Sequence, residues 1–175
     1  MFTKTNTDRV MDMFLQNPDT SFHLREIARL TGLSPAGVLK ILRKLVKQDL
    51  VSKEKTRVTD NYLANTDNKE FVALKRASNI YSISSCGVIR EIAEKYLPEA
   101  VVLFGSYARG EDTGRSDIDI AVITDKKKDI NTAKYEKSLK RRINIHKIKL
   151  DKASKEFRNN LANGITLHGF LRLIK

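Results

Sequence analysis

Apolar residues in the first third of the chain recur every three or four positions, which is the period of an α-helix. Three successive helices are predicted from the apolar stripes Val10, Met13 and Phe14; Leu24, Ile27 and Ala28; and Val38, Ile41, Leu42, Leu45 and Val46. A break at Thr31-Gly32 separates the last two helices, and Ser34-Pro35 supplies an N-cap and a first-turn residue for the third. A short glycine-containing turn between two helices indicates a helix-turn-helix unit.

The next segment, LVSKEKTRVTDNYLAN, alternates polar and apolar residues, which predicts a short β-hairpin. Helices followed by such a hairpin, or wing, resemble the winged helix-turn-helix domains of prokaryotic regulators. The resemblance covers about residues 6–66, and we predict residues 1–66 to be one domain. It implies double-stranded DNA as a partner.

The outer face of the third helix carries small residues near its start and lysines further along. Small residues let a helix enter the major groove, and lysines meet phosphates. Together with the cations of the hairpin, the predicted DNA-binding residues are Ser34, Ala36, Gly37, Lys40, Lys44, Lys47, Lys53, Lys55 and Arg57. An ordinary solvated face, or a contact with another protein, is the alternative interpretation.

The rest of the chain mixes helical and strand patterns. Residues 67–83 contain no Gly or Pro and are predicted to form a connecting helix. A helix at VIREIAEKYLPE is followed by strands at AVVLF and SDIDIAVIT, a helix at TAKYEKSLKRR and a strand at RINIHKIKL. Residues 84–175 are therefore predicted to be an α+β domain.

The stretch GSYARGEDTGRSDID, residues 105–119, follows the AVVLF strand. Gly105 lets the backbone approach a ligand closely, and Ser106 offers a hydroxyl and, at the start of a short helix YARGEDTG, backbone N–H groups that suit a phosphate. Asp117 and Asp119 are separated by one residue, so in a strand both carboxylates project from the same face. Such a pair beside a phosphate-binding turn can hold Mg²⁺.

A strand, a Gly-Ser pair, ten residues and then Asp-x-Asp opening a second strand closely resemble the signature of the polymerase-beta-like nucleotidyltransferases, especially the minimal members. The resemblance implies a small mixed β-sheet flanked by helices. It also implies that Gly105 and Ser106 bind a nucleoside triphosphate, and that Asp117 and Asp119 are catalytic and bind Mg²⁺ or Mn²⁺. The reaction implied is transfer of a nucleoside monophosphate.

In that family a third carboxylate on a later strand faces the first two. The matching residue here is Asn144, which can offer an amide oxygen to a metal but cannot accept a proton as a general base. His146 shares its face and could act as the base instead, although a structural histidine is the plainer interpretation. Asp151 is predicted to be the N-cap of the following helix.

Charge and composition narrow the possible partners. The net charge is +12, which favours an anionic partner, and residues 67–175 hold +8 of it. The only cysteine, Cys86, cannot form an internal disulfide, and no apolar run approaches the roughly 18 residues of a membrane span. We expect a cytoplasmic protein with no membrane partner. A homodimer is an open expectation, because many winged-helix regulators are dimers.

Three functions fit these features. The preferred one is a DNA-binding regulator whose second domain binds Mg²⁺ and a nucleotide, with weak activity because of Asn144. The second is an active nucleotidyltransferase that modifies a protein or nucleic acid found through the winged helix. The third is an antitoxin-like protein, since minimal nucleotidyltransferases often pair with a helical nuclease partner.

Overall fold

The computed structural model describes residues 5–55 and 60–172. The chain divides into two compact units, residues 1–75 and residues 76–175, and the boundary falls inside a helix. The predicted α+β fold class is confirmed. No helix within the described ranges has the length and apolar character needed to cross a bilayer.

The first unit has short helices and one antiparallel sheet with strand order β1-β3-β2. Its elements are α1 (Asn6–Gln16), β1 (Phe22–His23), α2 (Leu24–Thr31), α3 (Pro35–Lys47), β2 (Val51–Lys55), β3 (Asp60–Ala64) and the start of α4 (Lys69–Ser85). Strand β1 was not predicted, because two residues are too few to show an alternation of polar and apolar side chains.

Local capping explains where these helices begin and end. Thr5 and Asp8 form a capping box at α1, in which each side chain accepts the backbone N–H of the other residue. Ser34 caps α3 by accepting the N–H of Gly37 at 3.2 Å. Gly32 ends α2 in the left-handed region, with φ of 68°. The turn between α2 and α3 therefore lies where the sequence predicts it.

The core of the first unit draws side chains from every helix and from the sheet. Its fully buried members are Val10, Phe14, Ile27, Val38, Leu42 and Phe71. Ile41 and Val46, predicted to be buried, pack against this core while remaining partly exposed. Lys75 is buried with them and donates from Nζ to the carbonyl oxygen of Leu15 at 2.6 Å.

The second unit is built on a four-stranded sheet with strand order β6-β5-β4-β7. Its remaining elements are α5 (Val88–Tyr96), β4 (Ala100–Phe104), α6 (Gly105–Arg109), β5 (Ile118–Ile123), α7 (Ala133–Leu139), β6 (Ile143–Ile148), α8 (Lys155–Ala162) and β7 (Ile165–Gly169). Strand β4 pairs antiparallel with β5 and β7, whereas β5 and β6 run parallel. The sheet is therefore mixed, as predicted.

Both faces of this sheet are covered. Ile118, Ile120 and Val122 share one apolar cluster with residues of α4 and α5. Ala121 and Ile123, of opposite parity, belong to a second cluster that contains Leu161 of α8. Because side chains alternate along a strand, Asp119 lies on the same face of the sheet as α8.

Two local predictions in this unit were wrong. The helix predicted to run from Tyr107 to Gly114 ends at Arg109, because Gly110 adopts φ of 75° and terminates α6. Asp151 is not the N-cap of α8 but part of a 3₁₀ turn. Ser154 is the cap, since it is the extended residue directly before the helix and its hydroxyl accepts the N–H of Phe157 at 3.1 Å.

Candidate functional site

Strand pairing brings the predicted site residues together. Asp119 is the partner of Phe104 across the antiparallel β4–β5 pair and of Asn144 across the parallel β5–β6 pair. Gly105 follows Phe104 directly as the first residue of α6, so the glycine lies at the end of β4, next to the aspartate of β5 and the asparagine of β6. Asp117 directly precedes β5 at the same end of the sheet.

The amide of Asn144 bridges the two carboxylates. Its Nδ2 donates to Asp117 Oδ2 and to Asp119 Oδ1, each at 3.2 Å. The opposite amide orientation would turn its oxygen towards two carboxylate oxygens, so hydrogen bonding favours the observed one. A neutral donor thus sits where two negative charges converge.

Gly105 lies at one side of the site, directly against Asp119. Its φ is 77°, a conformation that suits glycine, and a Cβ added there would lie 2.9 Å from Asp119 Oδ2. The missing side chain therefore leaves space against the carboxylate. Ser106, in the first turn of α6, is partly exposed beside it.

His146 lies on the same face as Asn144, as predicted. Its Nε2 is 3.3 Å from Asp119 Oδ1, and the role of each atom in that contact depends on the imidazole tautomer. The ring packs against Phe104, at 5.3 Å between centroids, and against Phe157 of α8, at 6.2 Å, and the two phenylalanines also contact each other. These aromatic contacts hold the imidazole next to the carboxylate pair.

The site fits a divalent cation that is shared with a phosphate ligand. Within the described ranges, no group of three or more His, Cys, Asp or Glu side chains could hold a metal. Two carboxylate oxygens nevertheless converge within 3.2 Å of a single atom, Asn144 Nδ2. Mg²⁺ is commonly bound by one or two carboxylates with substrate phosphates and water, so Asp117 and Asp119 could serve as the protein ligands of such a cation.

A buried polar network fixes the loop between α6 and β5. Asn79 of α4 donates to Asp112 Oδ1 at 2.6 Å and to the carbonyl oxygen of Tyr107 at 2.9 Å. Arg141 donates to the carbonyl oxygen of Gly114 at 2.6 Å and lies 3.8 Å from Asp112 Oδ2. Burial, with the nearby Asp112 charge, raises the pKa of Tyr107, so its phenol stays protonated.

Sequence reasoning missed this network. Asp112 lies in a run of polar loop residues and Arg141 in a basic run, and neither position has a local pattern that marks it as buried. The partners are also far apart along the chain. The loop that joins Gly105 to Asp117 is therefore supported by residues that sequence periodicity cannot identify.

Comparison with known families adds to this geometry. Residues 88–169 match the family model described as polymerase beta, nucleotidyltransferase. The second unit contains a nucleotidyltransferase domain. A comparison with curated proteins gives no match.

Two solved structures show partial likeness to the chain. One is described as a toxin-antitoxin with AMP-PNP, at 26% identity over 49% of this chain and 74% of that chain, with a TM-score of 0.38. The other is the adhesin competence repressor from Streptococcus pyogenes, at 19% identity over 53% of this chain and 67% of that chain, also with a TM-score of 0.38.

Arg109, four residues after Gly105, pairs with Glu111. Its Nε donates to Glu111 Oε2 at 2.7 Å, and about half of each side chain is exposed. Arg109 is therefore an exposed helix residue that is paired with a neighbouring carboxylate.

The candidate DNA-facing residues of the first unit lie on α3 and on the hairpin. Ser34, Ala36, Lys40, Lys44, Lys47, Lys53 and Lys55 are exposed, and Gly37 is partly exposed. Lys53 forms an ion pair with Asp60 at 2.7 Å, and this hydrogen bond raises the pKa of the lysine. Arg57 lies outside the described residues. The sequence prediction omitted Arg43, an exposed cation on α3.

Proposed function

We propose that the protein is a DNA-binding regulator whose nucleotidyltransferase domain binds a divalent cation and a nucleoside triphosphate. In this proposal Asn144 weakens transfer of the nucleoside monophosphate. The observation that carries it is the Asn144 amide donating to both Asp117 and Asp119 at 3.2 Å.

The chain's own residues would bind and orient the nucleotide. The backbone at Gly105 can approach the triphosphate, and Asp117 and Asp119 would hold a cation beside it. When bound, Mg²⁺ would neutralise phosphate charge and favour in-line attack. In the transfer itself, an acceptor hydroxyl oxygen bonds to the α-phosphorus, the bond to the bridging oxygen breaks, pyrophosphate leaves, and the hydroxyl proton passes to water.

Asn144 makes that transfer slow for two reasons. Its amide carries no negative charge, so it does not add to the attraction for a cation, and it cannot accept the proton of the acceptor hydroxyl. A general base is typically worth about 10²- to 10⁴-fold in rate. Nucleotide binding with little turnover is therefore the expected behaviour of the wild-type site.

DNA binding is assigned to the first unit. The two helices α2 and α3 are joined by a tight turn at Gly32 and are followed by the β2–β3 hairpin, the order of a winged helix-turn-helix. Exposed lysines at spacings of three and four along α3 would contact phosphates, while the small residues near Ser34 would approach the bases.

The test is transfer of label from α-labelled nucleoside triphosphates with Mg²⁺ or Mn²⁺ onto the protein, onto nucleic acids and onto small acceptors. Wild type is compared with Asp119→Asn and Asn144→Asp, and nucleotide binding is measured in the same samples. We expect metal-dependent binding without efficient transfer in wild type, no metal-dependent binding in Asp119→Asn, and a gain of transfer in Asn144→Asp.

The same experiment separates the other functions. Rapid transfer by wild type, abolished in Asp119→Asn, would instead establish an active enzyme, and labelling of a co-expressed helical partner would favour the antitoxin-like role. Absence of metal-dependent nucleotide binding by all three proteins would overturn the proposal.

A further inference from the structure

Charge is unevenly distributed within the second unit. Residues 76–125 hold 5 Lys+Arg and 8 Asp+Glu, for a net charge of −3, whereas residues 126–175 hold 15 and 4, for a net charge of +11. The first half includes the carboxylate pair, and the second half includes β6. The net positive charge of the second unit therefore comes from residues 126–175, which include β6, an outer strand of the sheet.

Strand β6 is at the edge of the sheet, and among the described residues it pairs only with β5. We define the basic edge as five exposed cations near its two ends, Lys126, Lys127, Lys128, Lys140 and Arg142. None of the five side chains forms an ion pair with a described carboxylate. Exposed cations without carboxylate partners are available to bind an external anion.

Contacts place the lysine triplet beside the far end of β6. Lys147 Nζ donates to the carbonyl oxygens of Lys127 and Lys128 at 3.2 Å and pairs with Asp129 at 2.6 Å. The carboxylate of Asp129 and two carbonyl groups thus satisfy Lys147. The side chains of Lys126, Lys127 and Lys128 pair with no described carboxylate, so they can bind another anionic partner.

Arg142 marks the other end, next to the carboxylate site. Its carbonyl oxygen accepts the N–H of Ile118 at 2.8 Å. It lies two residues before Asn144, so it has the parity of Asn144 along the strand. Lys140 directly follows α7, whose Glu136 accepts the N–H of Ile143 at 2.9 Å. Both cations are therefore near the start of β6.

The separation of the two ends indicates a long anion. Six residues of extended strand span roughly 17 Å. Each strand of a double helix carries one phosphate about every 3.4 Å of helix axis, so about five nucleotides cover that distance at helical spacing, and fewer do so in a more extended single strand. A single triphosphate held at Asp117 and Asp119 does not extend to the Lys126–Lys128 end.

From this arrangement we infer that the nucleotidyltransferase domain binds a polynucleotide along the basic edge, with one terminus beside Asp117 and Asp119. The polynucleotide is thus the acceptor class for the weak transfer. The placement of that terminus rests on the proposed nucleotide site. Binding of the phosphate backbone does not rest on it, because it depends on the cations alone.

The experiment measures binding of single-stranded RNA and DNA oligonucleotides of about 20 nucleotides to the full chain by fluorescence anisotropy, over a series of salt concentrations. The edge variant combines Lys126→Gln, Lys127→Gln, Lys140→Gln and Arg142→Gln. A matched control removes the same number of charges elsewhere by combining Lys69→Gln, Arg76→Gln, Arg90→Gln and Lys155→Gln, four exposed cations that belong neither to the basic edge nor to the proposed DNA-binding residues. Circular dichroism melting checks that both variants are folded.

We expect the edge variant to bind at least about tenfold more weakly at low salt and to lose about 2 to 3 from the slope of log K against log salt. The matched control should bind single strands as wild type does. No binding by wild type, equal loss in both variants, or loss in the matched control alone would overturn the inference. Equal displacement by polyglutamate would also overturn it, in favour of an acidic protein.

Two further arms identify the acceptor and separate the inference from the proposed function. Stronger binding of RNA than of DNA would identify ribose as the sugar of the preferred strand, and the reverse would identify deoxyribose. Asp119→Asn should lose metal-dependent nucleotide binding and keep oligonucleotide binding. A wild type that binds oligonucleotides but no nucleotide would count against the proposed function. A wild type that binds the nucleotide but no oligonucleotide would count against the basic edge.

Discussion

The nucleotidyltransferase domain holds its aspartates in two contrasting ways. Asp112, in the loop after α6, is 2% exposed and is surrounded by Asn79 and Arg141. Asp117 and Asp119, a few residues later, are partly exposed and are bridged by one neutral amide. Carboxylates close in sequence can therefore be either fixed within the fold or available to a ligand, and the residues that surround them decide which.

The first unit repeats the contrast with lysines. Lys75 is 1% exposed and donates to a backbone carbonyl oxygen within the core. Lys40 and Lys44 are exposed on α3. Removing a fixed charge should therefore change folding, whereas removing an available charge should change binding.

The largest effect is expected from Arg141→Met. The substitution leaves the buried Asp112 carboxylate without its nearest cation, and breaking a buried pair typically costs about 3–5 kcal/mol. Urea unfolding should show the loss. The adjacent Arg142→Met is the matched control, because an exposed arginine should change the unfolding free energy by less than about 0.5 kcal/mol. Equal stability of the two variants would contradict the fixed role of Arg141.

The second-largest effect is expected from the exposed lysines of α3 in the first unit. Double substitution of Lys40→Ala and Lys44→Ala removes two of the proposed phosphate contacts, which should lower the salt slope of duplex DNA binding by about 1.8 and the affinity near 0.15 M salt by about thirtyfold. Electrophoretic mobility shift over a salt series measures both. Unchanged slopes would mean that these lysines are an ordinary solvated face.

A smaller effect is expected from Gly105→Ala. A residue with a side chain in the left-handed region costs about 1–2 kcal/mol, and the new Cβ would lie 2.9 Å from Asp119 Oδ2. Thermal unfolding should show the modest loss, and metal-dependent nucleotide binding should weaken because the carboxylate is displaced. Full nucleotide affinity in a folded Gly105→Ala protein would show that the close approach is not needed.

The smallest effect on folding is expected from Asp119→Asn. The side chain is partly exposed, and an amide can still accept from Asn144, so the unfolding free energy without metal should change by less than about 0.5 kcal/mol. Chemical denaturation in the presence of a chelator measures it. A loss as large as that of Arg141→Met would mean that the carboxylate pair is structural.

The available charges could be predicted from sequence, and the fixed ones could not. Alternation in SDIDIAVIT was enough to place Asp117 and Asp119 on one face. The position of Asn144 opposite them was implied by the resemblance to the polymerase-beta-like family, and the β5–β6 pairing agrees with it. The Asn79–Asp112–Arg141 network depends on contacts between residues about 30 positions apart. Periodicity contains no information about such contacts.

Helix starts were also hard to predict where two neighbouring residues could both act as the N-cap. Both Asp151 and Ser154 are good N-cap residues, and only the extended backbone at Ser154 decides between them. The assignment of residues 1–66 to DNA binding and the role of each site residue stay predictions for the experiments above.

The parallel pairing of Asp119 with Asn144 also has a genetic consequence. Codons for asparagine and aspartate differ at a single base, and the two side chains have nearly the same shape. One point mutation would therefore put a third carboxylate opposite the pair without moving any strand. Natural variation at this position could convert a nucleotide-binding domain into an efficient transferase, or the reverse, while the fold is kept.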